Sequence, residues 1–403
     1  MAVNRLKRYR CSVAYMYVLR NTKIVRECGV IDNGYVVIDR GRIIDIGRGS
    51  PPYLNIESED LDGYTVLPGF IDTHIHGVEG IDVTWNSEPE ALLEIGHRLV
   101  KYGVTSFTPT TISAPHDTLL AVCKAIHNAK AMWRPVHGAR ILGLHLEGPY
   151  INKEMAGAHN PRYIRRPSIQ ELRELVEASN NSVIQVTVAP EIENSLDFIR
   201  YVKQIGIVVS AGHTNASYEE GVKAIESGVT KATHLFNGMK KFHHRDPGIA
   251  LALIENPSVY LEIIADYVHL HPAIIRHVVK YAGTDRIVLI TDAIAATGLS
   301  DGEYSLGDLK IRVEQGVAKL IDRDVLAGSV LTMDKAFRNL LDLGFNIVDV
   351  AKMSSTIPVK SLDLESKIKI GKIEIGYLAD IVAIDENYRI RKVYIEGEKV
   401  LDK

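Results

Sequence analysis

The stretch PGFIDTHIHG, residues 68–77, marks the point where the pattern of the sequence changes. Upstream of it, segments 13–19, 34–39 and 42–47 are rich in β-branched and aromatic residues and are separated by Asn-Gly and Arg-Gly turn signals. Downstream of it, short apolar runs alternate with helical patterns of about 10–15 residues, which is typical of parallel βα units. The stretch therefore separates a β segment from an α/β segment.

Eight short apolar runs follow one another from the quoted stretch onward. They span residues 70–74, 105–108, 141–147, 184–189, 207–213, 231–234, 260–266 and 287–292. Eight strands, each followed by a crossover, are what a (β/α)8 barrel requires. The sequence therefore predicts an α/β fold built on a TIM-like (β/α)8 barrel.

The end of the chain returns to a β pattern. Segments 380–384, 391–396 and 399–401 resemble the opening segments more than the barrel runs. Because the two ends of a domain often lie close together, we expect both to form one small sheet domain. The predicted division is a split β-sandwich domain at 1–66 and 359–403, with the barrel at 67–358.

Composition limits the partners and the kind of metal site. The 47 Lys and Arg nearly balance the 50 Asp and Glu, so neither nucleic acid nor a membrane is an expected partner. The chain has 15 His but only 3 Cys, which are widely spaced. A disulfide framework is therefore not predicted, we expect a cytoplasmic protein, and any metal must be held by histidine and carboxylate.

Potential metal ligands and acids stand at the ends of five of the eight runs. They are His74 and His76, Glu147, His213, His234 and Asp292. The active site of such a barrel lies at the carboxyl ends of its strands, so these side chains are predicted to converge. Imidazole suits zinc, and a carboxylate can complete the shell or bridge two ions. A carboxylate at Asp292 can take a proton from water and return it to a leaving group, which suits amide hydrolysis.

Other catalytic classes lack their sequence signals. The segment LAGS at 326–329 contains no GxSxG elbow, so a nucleophilic serine is not indicated. No GxGxxG or GxxxxGK[ST] pattern is present, so dinucleotide and P-loop sites are not indicated either.

Longer motifs narrow the prediction. They are HLEGPYINKEMAGAHNP at 145–161, SAGHTNAS at 210–217, THLFNGM at 233–239, HHRDPG at 243–248, IIADYVHLHP at 263–272, ITDAIAATG at 290–298 and LAGSVLTMD at 326–334. Together with PGFIDTHIHG, which looks like the opening metal motif of the amidohydrolase superfamily, they resemble the N-acetylglucosamine-6-phosphate deacetylase family. The resemblance runs from about residue 68 to the C-terminus.

The resemblance implies a role for each matching residue. Glu147, His213 and His234 match the principal zinc ligands, and His74 and His76 match a pair found in members with a second ion. Asp292 matches the catalytic base and acid, and His159 the residue that polarises the acetamide carbonyl. Positions that hold the sugar phosphate match Ala158, Asn237, Gly238, Arg245 and His269, and Leu326 to Gly328 would border the sugar. In this family the arginine comes from the neighbouring subunit, which implies a homodimer.

The leading hypothesis is metal-dependent hydrolysis of the acetamide of N-acetyl-D-glucosamine 6-phosphate to D-glucosamine 6-phosphate and acetate, with one or two Zn²⁺ or Fe²⁺ ions. An alternative is an amidohydrolase that acts on another N-acyl amino sugar or an N-acyl amino acid. Tyr267 favours it, because the family usually carries glycine there and a phenol near the sugar site can narrow the pocket or contact a different group. A third hypothesis, a catalytically silent barrel used for binding, predicts eroded metal ligands, and all six are present.

Overall fold

The computed structural model describes residues 16–53 and 55–403. Its central feature is a parallel sheet in which all eight predicted runs form strands. The barrel strands, numbered one to eight here, are Phe70–Ile75, Val104–Thr111, Leu144–Glu147, Val183–Val188, Val208–Ala211, Val229–Ala232, Tyr260–Ile264 and Ile287–Ile290. They neighbour one another in chain order, and the short strand Arg140–Ile141 also pairs with strand two. The backbone N–H of Asp292 donates to His74 O at 3.0 Å, which brings strand eight against strand one.

Helices follow the barrel strands and cover the sheet. The α-helices are Pro89–Leu99, His116–Met132, Ile169–Ala178, Ser195–Gln204, Tyr218–Ser227, Gly248–Glu255, Pro272–Ala282, Met333–Asp342, Ile347–Ala351 and Ile357–Ser361. Short 3-10 segments span Val100–Tyr102, Pro135–His137, Lys153–Met155 and Thr284–Arg286, and a π-helical segment spans Lys352–Thr356. Local sequence fixes several starts: Ser168 caps one helix, and Ser217 forms a capping box with Glu220 at another. Buried strand residues and the apolar helix faces make one continuous core.

Strands from both ends of the chain form one further sheet of eight strands. They are Tyr17–Arg26, Gly29–Asp39, Arg42–Arg48, Glu57–Asp60, Thr65–Pro68, Ile381–Ile384, Ile390–Ile395 and Glu398–Asp402. Strand Thr65–Pro68 pairs antiparallel with Ile381–Ile384, which joins the two ends of the chain. The predicted barrel with a small β domain from both chain ends is therefore confirmed. The division at residues 66/67 and 358/359 stays a prediction, and residues 13–15 of the predicted strand 13–19 lie outside the described residues.

A buried ion pair links the β domain to the barrel. The Arg140 guanidinium donates to Asp380 Oδ2 at 2.6 Å and to Glu396 Oε1 at 2.9 Å, and both acceptors belong to the C-terminal β segment. Arg140 and Asp380 are both buried. Because a buried charge without its partner is costly, this pair ties the two parts of the molecule together.

A three-stranded antiparallel sheet follows barrel strand eight. Its strands are Gly302–Leu306, Leu309–Glu314 and Val317–Leu320. This sheet was not predicted from the sequence, although the alternation in LKIRVE at 309–314 is a strand signal. The sheet has its own apolar core, and that core includes Ile112, Ala158 and Ile294 from the barrel loops. It therefore lies over the carboxyl ends of the strands.

Gly77–Val78 and Ile81–Asp82 form a two-stranded ribbon just after barrel strand one.

None of the helices within residues 16–53 and 55–403 has the length and apolar character that crossing a membrane requires.

Candidate active site

A cavity of about 300 Å³ opens where the carboxyl ends of the barrel strands meet. Eleven of the predicted site residues line it, together with Gly328; they are His76, Glu147, Ala158, His159, His213, His234, Asn237, Gly238, His269, Asp292 and Leu326. His74 is not part of the lining: it contacts His76 and has no exposed surface. Arg245 is the other predicted site residue that does not line the cavity of its own chain.

The first metal-ligand group consists of Glu147, His213 and His234, all buried. Glu147 Oε1 lies 3.1 Å from His213 Nε2 and 2.8 Å from His234 Nε2. The two imidazole Nε2 atoms are 3.1 Å apart. These are one carboxylate oxygen and two imidazole nitrogens, a donor set that zinc accepts.

The second group consists of His74, His76 and Asp292. His76 Nε2 lies 3.2 Å from His74 Nε2 and 3.1 Å from Asp292 Oδ1. The other oxygen of Glu147, Oε2, lies 3.1 Å from His76 Nε2. Glu147 therefore faces the first group with one oxygen and the second with the other, which is how a carboxylate bridges two ions.

The hydrogen bonds of the imidazoles show that these residues fit a cation. His213 Nδ1 lies 2.8 Å from Met155 O, His234 Nδ1 3.1 Å from Asn237 O, and His76 Nδ1 3.0 Å from Thr110 O. A carbonyl only accepts, so each Nδ1 carries a proton, and the Nε2 of a neutral ring presents a lone pair to its neighbours. Lone pairs about 3 Å apart repel one another unless positive charge lies between them, and either a proton on Nε2 or a metal ion supplies that charge.

Backbone geometry at the strand ends turns three of these side chains into the cavity. His213, His234 and Asp292 have φ values of 47°, 30° and 53°, in or near the left-handed region. Such a conformation costs a residue other than glycine roughly 1–2 kcal/mol, and it concentrates at functional sites. The neighbouring loops hold it in place: for example, Ser329 N–H donates to Asp292 O at 2.8 Å.

The two acids of the site are held ionised. Burial raises the pKa of Asp292, but the hydrogen bond from His76 and the charge of nearby imidazoles outweigh burial and hold that pKa below its usual range. Burial likewise opposes ionisation of Glu147, yet His74 and the hydrogen bonds from His159 and His213 hold its pKa well below normal. Both carboxylates are therefore available as proton acceptors or metal ligands.

His159 is fixed as a neutral hydrogen-bond donor. Its Nδ1 accepts from the backbone N–H of Ser113 at 3.0 Å and lies 2.9 Å from Ser113 Oγ. Because Nδ1 accepts, the proton is on Nε2, which lies 3.4 Å from Glu147 Oε2 at the cavity. Burial lowers the pKa of His159 to about 4, so the ring is uncharged at neutral pH.

The far wall of the cavity carries polar groups suited to an anion. His269 Nδ1 lies 2.7 Å from Asp266 Oδ2. Burial lowers the pKa of His269, but Asp266 outweighs it and leaves the pKa raised, which favours a positive charge. Gly238 has a φ of 57°, and a Cβ there would lie 2.8 Å from His213 Nδ1, so a larger residue would require the His213 ring or the backbone to shift.

Comparison with known proteins identifies the family. The profile of the amidohydrolase family matches residues 65–400. The chain belongs to the amidohydrolase family. The N-acetylglucosamine-6-phosphate deacetylase of Vibrio furnissii is 37% identical over 368 residues, which is 91% of this chain and 90% of that protein. The N-acetylgalactosamine-6-phosphate deacetylase of Escherichia coli O157:H7 is 34% identical and covers 95% of this chain and 98% of its own length.

Solved structures of the same family resemble the fold closely. The N-acetyl-D-glucosamine-6-phosphate deacetylase of Mycobacterium smegmatis has a TM-score of 0.88 at 32% identity, covering 96% of this chain and all of its own. The enzyme of Thermotoga maritima has a TM-score of 0.85 at 36% identity with the same coverage. The fold and the family that the sequence predicted for this amidohydrolase are thus confirmed.

Two residues singled out from the sequence lie away from the cavity. Arg245 is exposed on the loop after barrel strand six, and its Nη1 lies 2.9 Å from His244 Nε2. The Tyr267 hydroxyl donates to Asn339 O on helix Met333–Asp342, and Tyr267 does not line the cavity. The expectation that its phenol narrows the sugar pocket is therefore wrong. Its φ of 68° lies in the left-handed region, which glycine adopts more readily than tyrosine.

Five lining residues were missed from the sequence. They are Ile112, Gly157, Leu306, Asp324 and Val325. Ile112 follows barrel strand two directly, so its position at a strand end was an available signal. Leu306, Asp324 and Val325 are brought to the cavity by the three-stranded sheet, so finding them required predicting that sheet first.

Proposed function

We propose that this amidohydrolase hydrolyses the acetamide of N-acetyl-D-glucosamine 6-phosphate to D-glucosamine 6-phosphate and acetate. The single observation that carries the proposal is that Asp292, a member of the second metal-ligand group, and His159 line the same cavity as the first group. The names of relatives that cover most of the chain support the substrate.

We assign the principal metal site to Glu147, His213 and His234, and a second site to His74, His76 and Asp292. Zn²⁺ is the expected ion because imidazole and carboxylate suit it, and Fe²⁺ accepts the same donors. A divalent ion held there supplies Lewis acidity and makes water in the cavity more acidic.

Asp292 carries the proton in the proposed reaction. The oxygen of water attacks the acetamide carbon, and an Asp292 carboxylate oxygen takes the proton that water loses. When the carbon–nitrogen bond breaks, Asp292 returns this proton to the nitrogen, which leaves as the amine while the acyl group leaves as acetate. A carboxylate held ionised in a buried position is suited to the first of these steps.

His159 binds the oxygen on which negative charge develops. Its Nε2–H is directed to the cavity, and the two Ser113 contacts at Nδ1 prevent the ring from changing tautomer. A donor fixed before the reaction stabilises the oxyanion without reorganisation.

The sugar phosphate is proposed to lie along Ala158, Asn237, Gly238, His269 and Leu326. Arg245 is proposed to reach this site from a second copy of the chain, because it lies outside its own cavity. A homodimer would then complete the phosphate site with a guanidinium, which pairs well with phosphate. We expect the reaction in the cytoplasm.

A second candidate substrate is N-acetylgalactosamine 6-phosphate, which differs in the configuration at C4. It is supported by the relative from Escherichia coli O157:H7, which matches nearly its full length. An N-acyl amino acid is a more distant alternative.

The test compares kcat/KM for four compounds: N-acetylglucosamine and N-acetylgalactosamine, each with and without the 6-phosphate. We expect N-acetylglucosamine 6-phosphate to be preferred over each of the others. A higher kcat/KM for N-acetylgalactosamine 6-phosphate would make that compound the substrate instead. Equal kcat/KM values for a sugar with and without its 6-phosphate would show that the cavity has no phosphate site.

A further inference from the structure

An ion pair without solvent access lies in the barrel interior beneath the site. Lys231 Nζ, from barrel strand six, lies 2.8 Å from Glu262 Oε1, from barrel strand seven. Neither side chain has any exposed surface. Barrel interiors are usually filled by branched apolar side chains, and a buried ion pair is often no more stabilising than such residues. Stability alone therefore does not account for this pair.

Glu262 contacts the metal-ligand residues with its other oxygen. Glu262 Oε2 lies 3.0 Å from His74 Nδ1 and accepts the backbone N–H of His234 at 3.2 Å. The other three ligand imidazoles use backbone carbonyls as Nδ1 acceptors. His74 is therefore the one of the four whose acceptor is a charged side chain.

Lys231 holds Glu262 in one orientation. Besides the carboxylate, its ammonium group donates to Thr73 Oγ1 at 3.1 Å and to Gln185 Oε1 at 2.9 Å. An ammonium has three N–H donors, and these three acceptors use all of them. Glu262 Oε1 is held by this anchored cation, so Oε2 remains directed at His74.

We infer that Lys231 and Glu262 are a positioning pair for His74 and thereby set the affinity of the His74–His76–Asp292 group for a second metal ion. The carboxylate keeps the proton of His74 on Nδ1, so that Nε2 presents its lone pair to His76 and Asp292. A carboxylate behind a ligand histidine also raises the basicity of the ring. This inference rests on the metal centre of the proposed function.

Two double variants separate positioning from simple structural support. Lys231→Met with Glu262→Leu removes both charges and the acceptor for His74. Lys231→Met with Glu262→Gln removes the same charges but keeps an oxygen that accepts from His74. Neither leaves a buried charge without a partner, so both are expected to fold, which circular dichroism and thermal unfolding check.

The readout is zinc stoichiometry and the stepwise zinc dissociation constants, measured against a chromogenic chelator. We expect two ions in the unchanged chain and in the Gln variant. In the Leu variant the weaker site should lose roughly 10–100-fold in affinity, while the Glu147 group, whose imidazoles have their own carbonyl acceptors, keeps its ion. Two equally tight ions in the Leu variant, or loss of both ions from a folded Leu variant, would overturn the inference.

The unchanged chain distinguishes this inference from the proposed function. Uptake of a single ion would overturn the inference and leave the function standing, whereas uptake of none would overturn the metal centre itself. If the Leu variant does not fold, ¹⁵N-histidine NMR of the zinc-loaded chain decides the matter. We expect one imidazole N–H resonance, that of His74, well downfield of the others. This resonance should move upfield in the Gln variant. If the unchanged chain shows no such downfield resonance, the inference is overturned.

Discussion

Replacing His159 with Leu removes the N–H group that faces the reacting carbonyl in the proposed mechanism. The two Ser113 contacts occupy Nδ1, so the ring has its proton at Nε2. His159 can therefore donate a hydrogen bond to the substrate only through Nε2. Loss of one oxyanion donor costs about 10²–10³ in kcat, or about 3–4 kcal/mol of transition-state stabilisation. KM should change little, because the interaction strengthens only as charge develops on the oxygen.

The assay measures release of free amine from N-acetylglucosamine 6-phosphate, with zinc content determined on the same samples. His159→Gln keeps an N–H near the position of Nε2 and should recover part of the lost kcat. Ser113→Ala is the matched control: it removes only the hydroxyl contact and leaves the backbone N–H, so kcat should stay near that of the unchanged chain. A Leu variant with unchanged zinc content and a kcat within about tenfold of normal would refute the assigned role.

The pH dependence gives an independent check on His159. Burial lowers its pKa to about 4, whereas an exposed histidine titrates near 6.5. The neutral donor form is therefore present throughout the neutral range, and His159 should add no inflection to kcat near pH ~6.5. An inflection there that disappears in His159→Gln would show that the ring titrates normally and would contradict the buried tautomer.

Three further predictions concern other parts of the chain. Asp292→Asn should abolish turnover while the Glu147 group keeps its zinc, as elemental analysis and kinetics would show. Arg245→Ala should mainly raise KM for the phosphorylated sugar, and mixing it with Asp292→Asn subunits should restore some activity if the arginine acts across a dimer. Arg140→Met should destabilise the fold by about 3–5 kcal/mol in urea unfolding, because it leaves the buried Asp380 carboxylate unpaired.

The buried Arg140–Asp380 pair has a matched control in an exposed ion pair. Arg20→Ala, which breaks an exposed pair with Asp60, should cost less than about 1 kcal/mol, and an equal loss in both variants would contradict the buried-pair argument. Substantial activity in Asp292→Asn would end its assignment as proton carrier. An unchanged KM in Arg245→Ala would remove that residue from the phosphate site.

The barrel and most of its site were predictable because each rests on local sequence. The eight strands are short, apolar and rich in branched residues, and the ligands sit at their ends, so chain order alone places His74, Glu147 and Asp292 on one rim. Motifs at strand ends carry this information without any knowledge of tertiary contacts.

Features that depend on contacts between distant residues were not predictable. The three-stranded sheet brings Leu306 to the cavity. No motif in the sequence around Leu306 indicates this position. Tyr267 looked like a pocket residue by its sequence position, but its left-handed backbone and its bond to Asn339 place it elsewhere. The buried Lys231–Glu262 pair gave no sequence signal, because a lysine and a glutamate within strands resemble ordinary exposed residues.

The central claim is that metal held by the strand-end residues is required for deacetylation. Its most direct test measures acetate and glucosamine 6-phosphate released from N-acetylglucosamine 6-phosphate by the purified chain before chelation, after chelation, and after zinc is returned. We predict equal amounts of both products, loss of activity on chelation, and recovery in proportion to the zinc bound. Full activity in a chain shown by elemental analysis to be free of metal, or no release of either product from the zinc-loaded chain, would contradict the account.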